Sequence, residues 1–596
     1  MLRSLYNRLR MTTSTRRFVG VVSILVIVAA IIVRNRGSGN IQPICRVITS
    51  DPEWPGQDEW DVLNKTVDGR LIATIPLAAP CHYSFVDHHG NNASVYNQEV
   101  CDNLRENWFS ATAHLQSASS PMSYQFTNDS CNPFLGPDSP CTLGYHVSYT
   151  VNATTAQHVQ AALSFVRRHN IRLVIRNTGH DYLGKSTGAH ALSIWTRHFK
   201  SIDLIKQYQH SSSDYGGPAL KVGAGVEGGE IYQFAHERGL MVAAGYCPHV
   251  GVTGGYVQGG GISILSSKYG LAADQVLSFK VVTVSGDIVN ADPTHNGDLF
   301  WALRGGGGGT FGIVLSMTIK AFPDSFFSTA SLTILNDGSN TDAIYSALGT
   351  FLQSLPNLVD AGAWVVWIAA PFGFMISPAM IPGVHLKELD ALLKPTLDRM
   401  DELQLQYLYT SLEFPDFLSA YQSLETNWSV SDLNTGGRLI PRELVEDNAG
   451  IEALVDSIRH ISYESQALMF GVAFNVSHAV SSPDAVAVNP YFRKSIFNAV
   501  VYLPLNYTNW TANEATQENI TRDILPTLGS ITPDGGVYLN EADFQEPDFE
   551  QTFYGYHYKR LLAIKRKYDP DSVLYAKTAV GSENWEQRSD GRLCIV

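Results

Sequence analysis

Seven glycines crowd one short segment of this chain and restrict its fold more than any other feature. Positions 245 to 261 read GYCPHVGVTGGYVQGGG. Glycine loses more backbone freedom on folding than any other residue, so this density opposes folding unless the main chain needs it. Close approach of the backbone to a large flat ligand is such a need. The segment therefore predicts a site where a planar molecule lies against the main chain.

A second glycine-containing loop follows a predicted strand and reads RNTGHDYLGKSTG at positions 176 to 188. Such a loop can turn tightly and direct backbone N–H groups at a pyrophosphate. It matches neither of the common nucleotide-binding glycine motifs. Taken alone, His180 is more simply explained as a hydrogen-bonded turn histidine. The later run Gly305 to Gly309 is equally explained as a flexible turn.

The seven cysteines are unevenly placed. Six of them can pair, and Cys247, which stands alone in the glycine-rich segment, is left over. In an oxidising compartment an odd cysteine is either a free thiol or bonded to something else. A buried, inert thiol is the plain alternative. The other six are Cys45, Cys81, Cys101, Cys131, Cys141 and Cys594.

Length and charge limit the class of protein. At 596 residues the chain is long enough for two or more lobes, each with its own core. A composition of 44% hydrophobic and 16% charged residues is typical of a globular protein. The net charge of -14 repels phosphates, so nucleic acid is not expected as a partner.

The segment 18–33 is uncharged and strongly apolar, and arginines flank it on both sides. It is a little shorter than the roughly 20 residues that span a bilayer. We expect a single-pass signal anchor, with residues 1–17 cytosolic and the catalytic part lumenal or extracellular. Cleavage as a long signal peptide, which would give a secreted protein, is the alternative. The membrane is expected as a partner through this segment only.

Glycosylation sequons support passage through the secretory pathway, because all of them follow the apolar segment. The nine predicted sites are Asn64, Asn92, Asn128, Asn152, Asn427, Asn475, Asn506, Asn509 and Asn519.

Periodicity divides the rest of the chain. Residues 34–140 predict a cysteine-rich, disulfide-tied extension. Positions 154 to 170 predict a helix behind a threonine cap, followed by a strand at 171 to 176. The segments 278–284 and 288–291 predict a hairpin around Ser-Gly-Asp. Beyond Pro323 the character changes, and one further helix is expected around positions 553 to 568.

Together these motifs resemble the berberine-bridge-enzyme-like branch of the FAD-linked oxidases, which share the vanillyl-alcohol-oxidase fold. The family pattern R-x-x-G-H matches Arg176, Gly179 and His180, and its pattern G-x-C-P-x-V-G-x-x-G-G-x-x-x-G-G-G matches the segment of Cys247. The resemblance also covers LFWALRGGGGGTFGIV at 299 to 314 and the C-terminal tail. Agreement across several segments in order outweighs any single motif.

The resemblance implies an α+β, two-lobed PCMH-type fold. Residues 141–323 and the C-terminal berberine-bridge-like segment 531–596 would form the FAD-binding lobe. Residues 324–530 would form an inserted substrate domain, an antiparallel sheet covered by helices.

The resemblance further implies bicovalent FAD, with His180 joined to the flavin 8α-methyl and Cys247 to flavin C6. Val250, three residues after the cysteine, corresponds to the family position that admits oxygen when it is valine. An oxidase that passes electrons to O₂ and releases H₂O₂ is therefore expected. The remaining cofactor-binding residues predicted are Arg176, Gly179, Asp181, Gly184, Gly251, Gly254, Gly255, Gly259, Gly260 and Gly261.

The catalytic base is predicted from the C-terminal motif. The family pattern Y-x-N-Y reads Tyr538-Leu539-Asn540-Glu541 here, so glutamate replaces the second tyrosine. Glu541 is a candidate base if burial raises its pKa, or else a solvated carboxylate. Tyr538 and Asn540 are expected to position flavin or substrate. No histidine or cysteine spacing indicates a metal site.

The expected function is oxidation of a small hydrophobic alcohol or a secondary-metabolite intermediate. The resemblance also allows oxidative cyclisation of an alkaloid or polyketide intermediate, and carbohydrate oxidation. A glycoprotein that keeps the fold without the chemistry is the alternative from another class.

Overall fold

The computed structural model describes residues 45–87, 89–210, 214–424 and 429–596. The predicted cytosolic segment 1–17, the anchor 18–33 and the sequon at Asn427 lie outside these residues. Within the described ranges, no helix has the length and apolar character needed to cross a membrane.

Twenty-one strands are described. In chain order they are β1 Leu71–Ala73, β2 Phe85–Val86, β3 Asn92–Ala93, β4 Tyr149–Asn152, β5 Leu173–Arg176, β6 Leu192–Trp195, β7 Ile202–Ile205, β8 Ala219–Gly223, β9 Leu240–Val242, β10 Val276–Val282, β11 Ile288–Ala291, β12 Ile313–Pro323, β13 Phe327–Leu335, β14 Trp364–Ala370, β15 Gly373–Pro382, β16 Tyr407–Phe414, β17 Leu433–Pro441, β18 Leu468–Ala473, β19 Ser495–Pro504, β20 Trp585–Gln587 and β21 Leu593–Ile595.

Sixteen α-helices are described, with short 3₁₀ and π turns between them. They are α1 Gln57–Thr66, α2 Gln98–Asn107, α3 Ala111–Leu115, α4 Ala156–His169, α5 Gly228–His236, α6 Ser266–Tyr269, α7 Gly297–Ala302, α8 Thr341–Asp360, α9 Leu386–Glu402, α10 Phe417–Gln422, α11 Glu443–Glu446, α12 Asn448–Arg459, α13 Trp510–Asn519, α14 Leu525–Ile531, α15 Phe549–Tyr554 and α16 Tyr558–Tyr568.

The first lobe contains two sheets. One has the order β1-β4-β6-β5, in which β4, β5 and β6 are parallel and β1 is antiparallel. The other is antiparallel, with the order β11-β10-β12-β8-β7, and β9 pairs with the end of β12. The predicted hairpin is confirmed as β10–β11. The predicted capped helix is α4, because the Thr155 side chain accepts the His158 N–H at 3.3 Å.

The second lobe is a seven-stranded antiparallel sheet with the order β16-β13-β15-β14-β18-β19-β17. Successive side chains of a strand point to opposite faces. On β14, Val365 and Trp367 therefore pack into a core with residues of α8, α9 and α12. Trp364 and Val366 lie on the other face, where they line a cavity between the lobes. The two-lobed α+β architecture, with a sheet covered by helices, is thus confirmed.

The cysteine prediction is also confirmed. Disulfides join Cys45 to Cys594, Cys81 to Cys101 and Cys131 to Cys141, and Cys247 is free. The first of these ties the beginning of the described chain to its end. The extension is more regular than its composition indicates, since it carries α1, α2 and α3, and its β1 pairs with β4.

One predicted element divides in the structure. The helix expected around 553–568 is two helices, α15 and α16, separated by a 3₁₀ turn at Gly555–His557. Gly555 has a φ of +57°, which an α-helix does not accommodate. The predicted domain limits at 141, 323 and 530 stay predictions.

Candidate functional site

The loop after β5 carries His180 into the cavity between the lobes. Its shape depends on Asp181, whose carboxylate accepts the N–H groups of Leu183 at 3.0 Å and Ser186 at 2.8 Å. Gly179 has a φ of +95°, and a Cβ there would lie 3.0 Å from the Arg176 side chain. Burial lowers the pKa of His180 to about 4, so the ring is neutral at physiological pH.

Arg176 and Gly184 lie behind this loop rather than along the cavity. The Arg176 guanidinium is buried and donates to the Ser117 carbonyl of the extension. It also lies 5.5 Å from the Trp195 ring centroid. A Cβ at Gly184 would approach the Phe126 ring to 2.7 Å. The structure thus places these two residues where they hold the loop against the extension.

The glycine-rich segment that begins after β9 brings Cys247 and Val250 to the cavity. Burial raises the pKa of the Cys247 thiol, and the N–H groups of His249 and Val250 oppose that shift. The Tyr246 carbonyl accepts the Tyr421 hydroxyl of α10 at 2.8 Å, which fixes the segment to the second lobe. Cys247 and His180 therefore line one cavity although 67 positions separate them in the sequence.

The glycines of this segment serve two different contacts. A Cβ at Gly251 would lie 1.9 Å from Asn177 Oδ1, so this glycine lets two loops meet. A Cβ at Gly255 would meet nothing within 4 Å, because this glycine faces the cavity. A Cβ at Gly259 would lie 2.2 Å from Asn540 Oδ1. Gly254 also lines the cavity. Gly259 and Gly260 lie beside the C-terminal motif, and Gly261 lies against the Tyr256 ring.

The cavity has an empty volume of about 2010 Å³, its open mouth included. The first lobe contributes the two glycine loops and residues Gly308, Gly309 and Gly312. The second lobe contributes the free face of its sheet. Residues of both lobes therefore line the cavity.

The C-terminal motif closes the cavity between the lobes. The Asn540 side-chain amide donates to the Gly255 and Tyr256 carbonyls at 3.1 Å each and to the Tyr538 hydroxyl oxygen at 2.9 Å. Glu541 accepts the side-chain amide of Asn498 at 2.6 Å. Burial raises the pKa of Glu541 to about 7, and the Asn498 hydrogen bond opposes the shift. Glu541 is therefore an enclosed carboxyl, as the base hypothesis requires.

Comparison with known proteins agrees with this geometry. A family model described as an FAD binding domain matches residues 147–292, and one described as berberine and berberine-like matches residues 537–581. The FAD-linked oxidoreductase sor8 of Hypocrea jecorina is 38% identical over 93% of this chain and 93% of its own. This chain belongs to the berberine-bridge-like FAD-linked oxidoreductases.

Other relatives extend the comparison. The bifunctional decalin synthase calF of Penicillium decumbens is 38% identical over 93% of this oxidoreductase and 96% of its own length. The solved VAO-type flavoprotein MtVAO615 of Myceliophthora thermophila has a TM-score of 0.87 at 38% identity, covering 93% and 100% of the two chains. A glucooligosaccharide oxidase of Acremonium strictum, described with 6-S-cysteinyl, 8α-N1-histidyl FAD, shares the fold at 20% identity and a TM-score of 0.60, over 74% and 92% of the chains.

The polar lining of the cavity fits FAD. Several lining side chains of the oxidoreductase hold buried polar atoms that have no hydrogen-bond partner within the described ranges, an arrangement that is costly unless a ligand completes it. These atoms are Asn177 Oδ1, His180 Nε2, Lys185 Nζ, Thr253 Oγ1 and Gln258 Oε1. They include donors and acceptors. The ring and ribityl hydroxyls of FAD present both, and its pyrophosphate presents acceptors.

Sequence reasoning missed several residues that line the cavity or contact Glu541. Tyr182 and Lys185 belong to the His180 loop, so their position in the motif was an available signal. Asn498 and Tyr502 lie on β19, four residues apart and on one face. Nothing in the local sequence distinguishes that strand from an ordinary core strand.

Two remaining predictions concern other parts of the oxidoreductase. Of the predicted glycosylation sites, Asn92, Asn128, Asn506, Asn509 and Asn519 are exposed, and Asn64, Asn152 and Asn475 are partly exposed. In the described part of the chain, two groups of side chains could hold a metal ion, and none of their members lines the cavity. They are His210, Asp292 and His295, and His236, Asp324 and Asp416. The absence of a metal site stays a prediction.

Proposed function

We propose that this enzyme is an oxidase that takes hydride from a small hydrophobic alcohol or secondary-metabolite intermediate. FAD, when bound, supplies the hydride acceptor and passes the electrons to O₂ with release of H₂O₂. The observation that carries the proposal is Glu541. This carboxyl has a pKa near 7 and lies at the wall of the cavity, where a base must take the hydroxyl proton.

The residues around Glu541 support its role as the base. Asn498, which is fully buried, holds one carboxylate oxygen in place. Asn540 and Tyr538 join the C-terminal motif to the glycine segment, so the carboxyl is fixed relative to the cofactor loops. A base near neutral pKa can accept a proton and return it at physiological pH.

The substrate class follows from the wall of the second lobe. Trp364, Val366, Phe470, Val472 and Val500 face the cavity. An apolar wall of this kind favours a hydrophobic substrate with few polar groups. Screening alcohols and pathway intermediates for H₂O₂ release tests the proposal. Purified protein that carries no flavin, or that releases no peroxide with any alcohol, would contradict it.

Oxidative cyclisation is the second candidate function, because a relative at 38% identity is named a bifunctional decalin synthase. The same apolar wall would hold a folded polyketide chain. Product analysis separates the two functions, since cyclisation gives a new ring and simple oxidation gives a carbonyl compound.

We further propose that His180 and Cys247 both bind FAD covalently, as in the described flavin of the glucooligosaccharide oxidase. Both side chains line the cavity, and Cys247 is free. We expect denatured wild-type protein to retain its flavin, and a Cys247→Ser variant to retain it through His180 alone. The double variant His180→Ala/Cys247→Ser should release all flavin on acid precipitation. Quantitative release from the wild type would contradict both bonds.

We propose that Val250 admits O₂ to the flavin. Its side chain lines the cavity in the segment of Cys247. We expect Val250→Leu to slow reoxidation of the photoreduced enzyme roughly tenfold, about 1.4 kcal/mol of barrier, because the added carbon fills the approach path. Stopped-flow mixing with O₂ measures this rate, and anaerobic reduction by substrate is the control. Equal reoxidation rates would disprove the role.

The placement in the secretory pathway is likewise a proposal. Three disulfides are in keeping with an oxidising compartment. Deglycosylation that increases gel mobility would support the sequons, and N-terminal sequencing of the mature protein would distinguish an anchor from a cleaved signal peptide.

A further inference from the structure

Lys185 has an environment that the residues of the protein do not complete. It lies in the His180 loop and lines the cavity, and its Nζ is buried without a hydrogen-bond partner among the residues that the structure describes. Burial lowers the pKa of Lys185 to about 8, and the nearby Asp181 carboxylate opposes this shift. An enclosed ammonium group without a partner is strongly unfavourable.

Another buried lysine shows how this fold satisfies an ammonium group when no ligand is involved. Lys565 donates to the Thr310 carbonyl at 2.9 Å, and to the Asp569 carboxylate and the Leu574 carbonyl at 2.6 Å each. Lys185 has no such partner in the described part of the chain. Asp181 does not fill the role, because its two oxygens accept N–H groups of its own loop.

The position of the Lys185 ammonium group points to an anion in the cavity. A Cβ added at Gly307 would lie 3.8 Å from Lys185 Nζ, so the ammonium group lies beside the glycine run 305–309. Gly308 and Gly309 of that run line the cavity. The lysine thus lies where the His180 loop and the glycine run 305–309 approach each other, and residues of both segments line the cavity.

We propose that Lys185 binds the pyrophosphate of FAD. This inference rests on the proposed function, in which the cavity holds FAD. The pyrophosphate is the charged part of FAD at neutral pH, whereas its ring, ribityl chain and adenine are neutral. An ammonium group paired with a phosphate oxygen makes a charge-assisted hydrogen bond. Lys185 therefore holds the cofactor by its phosphates while the flavin is placed between His180 and Cys247.

The test measures reversible binding in the full chain with both tethering residues replaced, His180→Ala/Cys247→Ser. FAD and riboflavin are titrated separately by flavin fluorescence, since riboflavin lacks the pyrophosphate. We expect Lys185→Met to weaken FAD binding about 10- to 100-fold and to leave riboflavin binding unchanged. Lys185→Arg should keep most of the FAD affinity. Lys221→Met, which removes an equal charge from an exposed position on β8, is the control.

A second measurement uses the protein with its tethers intact. We expect the ³¹P NMR signals of the bound pyrophosphate to shift as alkaline pH removes the Lys185 proton, and not to shift in Lys185→Met. The apoprotein of Lys185→Met should be at least as stable as the wild-type apoprotein, because the unpaired ammonium group is gone.

The outcomes separate the two proposals. Wild-type protein without flavin would overturn the proposed function. Wild-type protein with flavin, combined with equal FAD affinity in Lys185→Met, would overturn only the assignment of Lys185. Equal loss of FAD and riboflavin affinity, or a less stable apoprotein, would show that Lys185 supports the loop instead of the phosphates.

Discussion

Glu541→Gln is expected to lower kcat about 10²- to 10⁴-fold, the range for loss of a general base. The amide keeps the size of the side chain and can still meet Asn498, so the cofactor should bind as before. Only the proton acceptor is lost. Anaerobic stopped-flow reduction of the flavin by substrate measures the effect, and flavin absorbance of the denatured protein confirms equal cofactor content.

The pH dependence gives a second measurement on the same residue. The pKa of Glu541 is about 7, so the wild-type rate should fall as pH drops through 7 and the base becomes protonated. In the variant this limb should disappear.

The raised pKa also means that the folded protein favours neutral Glu541. This contribution to the free energy of unfolding is complete below pH 4.5, the ordinary pKa of glutamate, where Glu541 is protonated. It is lost as the pH rises through about 7, the pKa in the folded protein. Glu541→Gln should therefore unfold less easily than wild type above pH 7.

A matched control is Glu514→Gln on α13, an exposed glutamate that does not line the cavity. It should change neither rate nor pH profile. A Glu541→Gln enzyme with the wild-type rate at every pH would remove this residue as the base.

The second large effect concerns stability. Asp569 is fully buried. Its carboxylate accepts hydrogen bonds from the Lys565 ammonium group at 2.6 Å and from the N–H groups of Val573 and Leu574 at 2.8 and 2.9 Å. Lys565 also donates to the carbonyl of Thr310, which lies between the cavity-lining residues Gly309 and Gly312. Asp569→Ala leaves the buried Lys565 ammonium group without its counter-ion, and it removes the acceptor of the Val573 and Leu574 N–H groups. We expect a loss of about 3–5 kcal/mol in the free energy of unfolding.

Urea unfolding followed by circular dichroism measures this loss. Glu402→Ala is the control, because it breaks the exposed pair with Arg399 at 3.0 Å, and exposed pairs contribute roughly 0–1 kcal/mol. If Asp569→Ala unfolded at the same urea concentration as Glu402→Ala, the buried network would not be a major source of stability.

The parts of the site that the sequence predicted share a physical cause. Backbone conformation requires glycine at specific positions, so the loops around His180 and Cys247 were visible as glycine patterns. The free thiol at Cys247 was also predicted from the odd number of cysteines, because disulfides use cysteines in pairs. The helix α4 was visible through its cap and its period. Arg176 shows the limit, since a motif gives the order of residues but not the direction of a side chain, which here turns to Ser117.

The sequence by itself determined the fold class, the FAD-binding family and the two loops that border the cofactor space, because these depend on local backbone requirements and on order along the chain. Only the tertiary structure decided the state of Glu541. An isolated glutamate is expected to be solvated. Its raised pKa arises because β19 and the C-terminal turn, far apart in sequence, enclose it together. The unpaired ammonium group of Lys185 appears for the same reason, since burial depends on what the whole chain places around a residue.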